Sequence, residues 1–128
     1  MARSHLNISI FPDERHILVR PKGELSGSEI GEGSLARIME MPDAFTYDHL
    51  LDLRRFDGAV MSSELAEFGQ TWREAAAGRD AGARTAIVST DALLRARLSF
   101  YRQQFPEREI EVFDTFDEAL DWLKTRRA

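Results

Sequence analysis

Three groups of residues in this chain are of types that do chemistry. They are the hydroxyls of Ser62, Ser63 and Ser89, the imidazoles of His5, His16 and His49, and the run Gly31-Glu32-Gly33-Ser34-Leu35-Ala36. A serine nucleophile of the common hydrolase type sits in a G-x-S-x-G elbow with a histidine base delivered beside it. The chain has no such elbow, and no motif places a histidine next to any of these serines. The histidines occupy separate segments, none with a second histidine three or four residues on. His49 and Asp52 are three apart on an expected strand, so they point to opposite faces and cannot converge on a metal. This spacing describes histidines that are exposed or partly buried, and no metal site is expected. The complete lack of cysteine excludes a disulfide framework, a thiolate zinc site and cysteine nucleophile chemistry.

The glycine run matches G-x-G-x-x-A in form only. A dinucleotide fingerprint belongs at a strand-to-helix turn, where bare amides face a pyrophosphate. Here the run lies well past the preceding strand, and Glu29 and Glu32 would set negative charge against the phosphates. It reads as the flexible start of a helix, and no cofactor is expected. A phosphoacceptor site of the receiver type fails as well. Asp52 and Ser89-Thr90 fit loosely, but metal-binding acids after the first strand and a lysine after the fifth are missing, so nothing stabilises a transferring phosphoryl group. No catalytic motif emerges, and the chain is expected not to be an enzyme.

Charge and hydropathy narrow the partners further. The 128 residues carry a net charge of -5, with short basic clusters at Arg54-Arg55 and Arg126-Arg127. Such a surface repels a phosphate backbone, and nucleic-acid binding is not expected. No apolar run approaches the ~18 residues of a transmembrane helix, and the segment from Met1 to Asn7 has no apolar signal core. The expected compartment is the cytoplasm. The length suits one domain, taken as 1–128.

The elements follow from periodicity. Leu6, Ile8 and Ile10 alternate with polar residues, a strand wet on one side; Ile17-Leu18-Val19 reads as a strand covered on both faces. Too few residues separate these strands for a crossover, so they pair as an antiparallel hairpin. Ser26-Gly27-Ser28 starts a helix that ends before Pro42. Leu50-Leu51-Asp52-Leu53 is the third strand. Ser62-Ser63 open a helix whose face carries Leu65, Phe68, Trp72 and Ala76, stopped at Gly78. Thr85 to Ser89 is a buried strand. Asp91 caps a helix carrying Leu94, Leu98, Tyr101 and Phe105, with Pro106 beyond it. Glu109 to Phe113 alternates as an edge strand. Thr115 and Glu118 have capping-box spacing before a last helix with Ala119, Leu120 and Leu123 inward. The order β-β-α-β-α-β-α-β-α predicts a single α/β domain with a mixed, mostly parallel sheet flanked by helices. Leu50, Leu51, Leu53, Phe68, Trp72, Ala86, Ile87, Val88, Leu120 and Leu123 are expected to form one core. The first and fifth strands are expected at the edges, and the carboxylates of Glu109 and Glu111 should turn any homodimer away from the fifth.

Three segments resemble a known family. They are Tyr47 to Gly58 (YDHLLDLRRFDG), Arg84 to Val88 (RTAIV), and Val112 to Leu123 (VFDTFDEALDWL). With the element order they resemble the STAS-like, or SpoIIAA-like, proteins of bacteria, over Ile8 to Leu123; F-D-x-x-D-E-A-L-x-W-L is the best-marked part. The resemblance implies a SpoIIAA-like fold and a non-enzymatic regulatory or protein-interaction module. In such relatives a serine at the start of the helix after the third strand is phosphorylated to release a protein partner. The relation of this fold class to lipid-binding domains implies, as an alternative, a carrier of an apolar small molecule or lipid. The turn here, Phe56-Asp57-Gly58-Ala59-Val60-Met61-Ser62-Ser63, departs from the Asp-Ser-x-Gly-like pattern of switch-bearing relatives. Ser62 and Ser63 are therefore either phosphorylation sites or a helix N-cap, with Ser62 the cap and Ser63 exposed.

Overall fold

The computed structural model describes residues 4–125, apart from the Pro42 side chain; the fraying expected for Arg126-Arg127-Ala128 lies outside these residues. Strands β1 (His5–Phe11), β2 (His16–Lys22), β3 (Asp48–Asp52), β4 (Arg84–Val88) and β5 (Glu109–Phe113) lie side by side in chain order. Ile8 faces Val19 across the antiparallel β1–β2 pair, and the other pairs are parallel. The crossovers carry α1 (Gly27–Met39), α2 (Ser62–Ala76), and α3 (Ala92–Ala96) with α4 (Leu98–Gln104); α5 (Phe116–Thr125) follows β5. β1 and β5 are the edges, as their alternation predicts. Glu109 and Glu111 of β5 pair with Arg84 and Arg102.

Register sorts the strand residues into two faces. Ile17, His49, Thr85 and Ile110 form one row across the sheet, and Val19, Leu51, Ile87 and Val112 the next row on the same face. α1, α2 and α4 pack over these rows. Leu18, Leu50 and Ala86 point the other way, toward Ala119 and Leu123 of α5. The expected single core is therefore three clusters, because the sheet itself separates Leu50, Ala86, Val88 and Leu123 from Trp72 and from Ile87. Leu51, Leu53, Phe68 and Leu120 are half-buried.

The helix boundaries have local causes. Ser26 Oγ accepts from the Glu29 amide at 3.0 Å and Glu29 Oε1 accepts from the Ser26 amide at 3.0 Å, a reciprocal cap. Asp91 Oδ1 accepts from the Leu93 amide at 3.0 Å. Thr115 Oγ1 accepts from the Glu118 amide at 3.2 Å, while Glu118 reaches back to the threonine hydroxyl. α2 ends in two left-handed residues, Ala77 (φ 50) and Gly78 (φ 80).

Three features differ from the sequence reading. The helix expected from Asp91 onward breaks at Arg97, whose amide is shared between the carbonyls of Leu93 and Leu94. A 3₁₀ turn, Pro42–Thr46, buries Ala44 and Phe45 completely; five residues are too few to show periodicity. The run Gly31 to Ala36 is the middle of α1, not a flexible start. A Cβ on Gly31 would lie 2.7 Å from the Phe68 ring, and one on Gly33 2.5 Å from Leu6. These glycines let α1 approach α2 and β1.

Candidate ligand cavity

Between the sheet and the α1–α2–α4 layer lies a cavity of about 140 Å³. Its walls are apolar, with Ile30 from α1, Leu65 and Phe68 from α2, and Leu51, Leu53 and Ile87 from the strands. α1 contributes little bulk, since Gly27, Gly31 and Ser34 line it too. One end lies past the C-terminal ends of the parallel strands, where ligands of open α/β sheets bind. Gly27, Val60 and Glu64 sit there. The other end lies at the starts of β3 and β4, with His49, Thr85, Trp72 and Arg108.

That lower end is a buried polar cluster. The Arg108 side chain is 2% exposed and Asp80 4%. Arg108 Nε donates to Thr85 Oγ1 at 2.8 Å, and Nη2 donates to the carbonyls of Tyr47 and Arg84, both at 3.0 Å. Asp80 Oδ2 accepts from Trp72 Nε1 at 2.7 Å and lies 3.8 Å from Arg108 Nη1. Burial pushes the Arg108 guanidinium down to about 10 against the opposing charges of Asp80 and Asp48, so it stays ionised at neutral pH. His49 stands edge-on to the Trp72 ring with centroids 5.5 Å apart. It borders the cavity deep in the fold, with its Nε2 buried. Burial first, then the charges of Arg108 and His16, hold its pKa well below 6.5, which leaves the imidazole neutral.

At the upper end Glu64 ties two helix starts together. Its carboxylate accepts from the amide of Met61 at 3.0 Å, from the amide of Ser28 at 3.1 Å, and from the Ser28 hydroxyl at 3.2 Å. The Met61 amide foremost, then the Ser28 amide, holds its pKa below the ordinary carboxylate range.

The two serines singled out from sequence lie outside this cavity. Neither caps the helix: α2 starts at Ser62, with Met61 in the N-cap position, because Glu64 already takes the Met61 amide. The Ser62 hydroxyl instead accepts from Arg97 Nη2 at 2.8 Å, and Arg97 Nη1 donates to the Val60 carbonyl at 3.1 Å. Ser63 is exposed. The residues that shape the cavity's polar ends, Glu64, Asp80, Thr85 and Arg108, were not singled out from sequence. Asp80 and Arg108 sit in turns where charges are ordinarily solvated, and no short spacing links them. Trp72 was the one visible signal.

No family model matches the chain, and no curated protein matches it. Solved structures share its fold, among them the following three. An uncharacterized DUF3478-family protein with a SpoIIAA-like fold, from Shewanella loihica PV-4, is 20% identical with a TM-score of 0.63, covering 96% of this chain and 95% of its own. The anti-sigma factor antagonist SpoIIAA in its unphosphorylated form is 15% identical with a TM-score of 0.60, over 94% and 98%. The Bacillus cell fate determinant SpoIIAA in the phosphorylated form is 16% identical with a TM-score of 0.57, over 93% and 99%. The chain has a SpoIIAA-like α/β fold, the fold its sequence resembles. Among the described residues no helix is long and apolar enough to cross a membrane.

Proposed function

We propose that this chain is a non-enzymatic binding module whose cavity takes a small apolar molecule. The observation that carries the reading is the void of about 140 Å³ walled by Ile30, Leu51, Leu53, Leu65, Phe68 and Ile87. Interiors normally close such space, because each unfilled methylene volume costs stability. A cavity of this size, apolar over most of its wall, matches one aromatic ring or a short alkyl segment. Titration with toluene tests it, with Tm and the emission of Trp72 in a Trp122→Phe background as readouts. Binding raises Tm and shifts the emission, and Ser34→Leu, which extends a side chain from α1 into the void, abolishes both. Native mass spectrometry of the chain purified from cells then identifies a retained small molecule. No shift at saturating toluene, together with no retained mass, overturns the reading.

A second reading, regulated protein interaction through Ser62 or Ser63, is favoured by one observation. The Arg97 guanidinium already bonds the Ser62 hydroxyl and would pair with a phosphoryl group added there. The solved SpoIIAA structures include a phosphorylated form of that protein. Phosphosite mapping of the chain from its native cell, together with pull-downs comparing Ser62→Asp with the parent, checks it. Two unmodified serines and unchanged partners would sink it.

A further inference from the structure

The face of the sheet opposite the cavity is only partly covered. α5 packs on β3, β4 and β5. Beside it, over β1 and β2, lies an open groove of about 530 Å³. Arg20 and Lys22 of β2 line it together with Arg54 and Arg55, which follow β3. All four are exposed.

Arg54 is held in place. Buried Asp52 accepts from its Nε at 2.9 Å, its Nη2 at 2.8 Å and its amide at 3.1 Å, and its guanidinium lies 5.3 Å from the centroid of the Phe116 ring. Burial alone would raise the Asp52 carboxyl. The hydrogen bonds from Arg54, then the charges of Arg54 and Arg20, outweigh it and bring it below its ordinary value. That carboxylate is thus committed to Arg54, and Arg20, Lys22 and Arg55 stand in the groove without an ion pair among the described residues. A chain with net charge -5 gathers four cations around one concavity.

We propose that this groove docks an acidic segment of a partner protein in extended form. Charge complementarity names the chemistry, and strand geometry names the shape. Arg20 and Lys22 are alternate residues on one face of β2, about 7 Å apart. Alternate carboxylates of an extended chain repeat at that same distance. Among the described residues the groove's lining holds one ring, His5, and no Phe, Tyr or Trp on which successive bases would stack, and the acidic remainder of the chain repels a longer polyanion. The site is independent of the cavity, which lies across the sheet.

Fluorescence anisotropy with the full chain tests this, using a labelled peptide of four Glu-Ser repeats and a Lys-Ser peptide and an eight-nucleotide oligothymidylate as alternatives. The glutamate peptide binds at low salt and weakens as salt rises, and the other two do not bind. Charge reversal by Arg20→Glu with Arg55→Glu weakens the glutamate peptide by on the order of 10-fold or more. The exposed positions leave the fold intact, checked by circular dichroism, and Arg20→Lys retains binding. Absence of binding by the glutamate peptide at low salt, tighter binding of the oligothymidylate, or an unchanged affinity in the charge-reversed variant each overturns the proposal.

Discussion

The two faces of this sheet are made by alternate residues of the same strands, and they are packed on different principles. Toward α5 the contacts are apolar and close: Leu18, Leu50, Ala86 and Val88 meet Ala119 and Leu123, and Leu50, Val88 and Ala119 have no exposed surface. Ala119 brings the helix backbone near the strands. Toward α1, α2 and α4 the strands present His49 and Thr85 beside Leu51 and Ile87, a guanidinium lies buried, and space is left unfilled. One face chiefly supplies cohesion, and the other gives up some of it for a lined cavity. The period of two in β3, Leu50 outward to α5 and His49 and Leu51 inward to the cavity, makes both from one segment.

The largest test of this contrast is on the cavity side. Asp80→Ala removes the ion-pair partner of Arg108, leaving only the charge of Asp48 nearby, and the acceptor of Trp72 together. A buried charge left unpaired costs about 3–5 kcal/mol, and urea unfolding of the variant should show a loss of that order. The double variant Asp80→Leu with Arg108→Met should recover part of it, because the guanidinium that Asp80 faces is then gone, while buried Asp48 keeps its bond from the Arg84 amide. A loss below ~1 kcal/mol in Asp80→Ala would mean that water reaches Arg108, and the cavity face would not be a dry interior.

The next test compares truncations across the sheet. Leu50→Ala and Ile87→Ala each cost about 2–5 kcal/mol, the range for large buried aliphatics cut to alanine. Leu50 should lie toward the top of that range, since the α5 face has no slack. Ile87 should lie toward the bottom, since its side chain already borders empty space. Denaturant midpoints at equal m-values read the difference, and the reverse order would break the comparison.

A smaller effect separates the faces by pH. His49 is neutral in the folded chain because its pKa is depressed, while the unfolded chain takes up the proton near 6.5. The unfolded state therefore binds more protons below that pH. Stability should fall as pH drops from about 6.5, by up to about 1.4 kcal/mol per pH unit for this one group. Asp52 and Glu64 have lowered carboxylate pKa values, so their contributions are lost only in the more acid range. His49→Phe should flatten the slope between pH 6.5 and the carboxylate range. A slope unchanged by that substitution would mean that His49 titrates alike in both states.

Element order, pairing sense and edge assignment were legible because they rest on local periodicity: the hairpin on alternation around Pro12-Asp13-Glu14, the parallel strands on apolar runs separated by helices. The caps at Asp91 and Thr115 were legible because capping has fixed short offsets. The cavity was not, because a void is set by distances between elements that no segment states about itself. Asp80, Thr85 and Arg108 come together across turns and strands. Gly31 and Gly33 suggested a phosphate loop or a flexible start, when their small size serves the approach of α1 to Phe68 and Leu6. Ser62 drew the cap assignment that Met61 and Glu64 occupy.

That last displacement yields the smallest and most specific effect. Ser26 and Ser62 stand at the starts of the two helices that roof the cavity, and both are serines at positions that invite a cap. Only Ser26 performs it, through Glu29, so Ser26→Ala should cost about 1 kcal/mol. Ser62 lies one residue inside the helix, and its hydroxyl serves Arg97, whose other Nη holds the Val60 carbonyl. Ser62→Ala should cost less than ~0.5 kcal/mol, the ordinary scale of an exposed substitution. Equilibrium unfolding of both variants under one condition decides between them. Equal losses would move the α2 start to Ser63 in solution and return the cap to Ser62. Unequal losses leave the upper end of the cavity held by Glu64, whose carboxylate joins the starts of α1 and α2 through Ser28 and Met61.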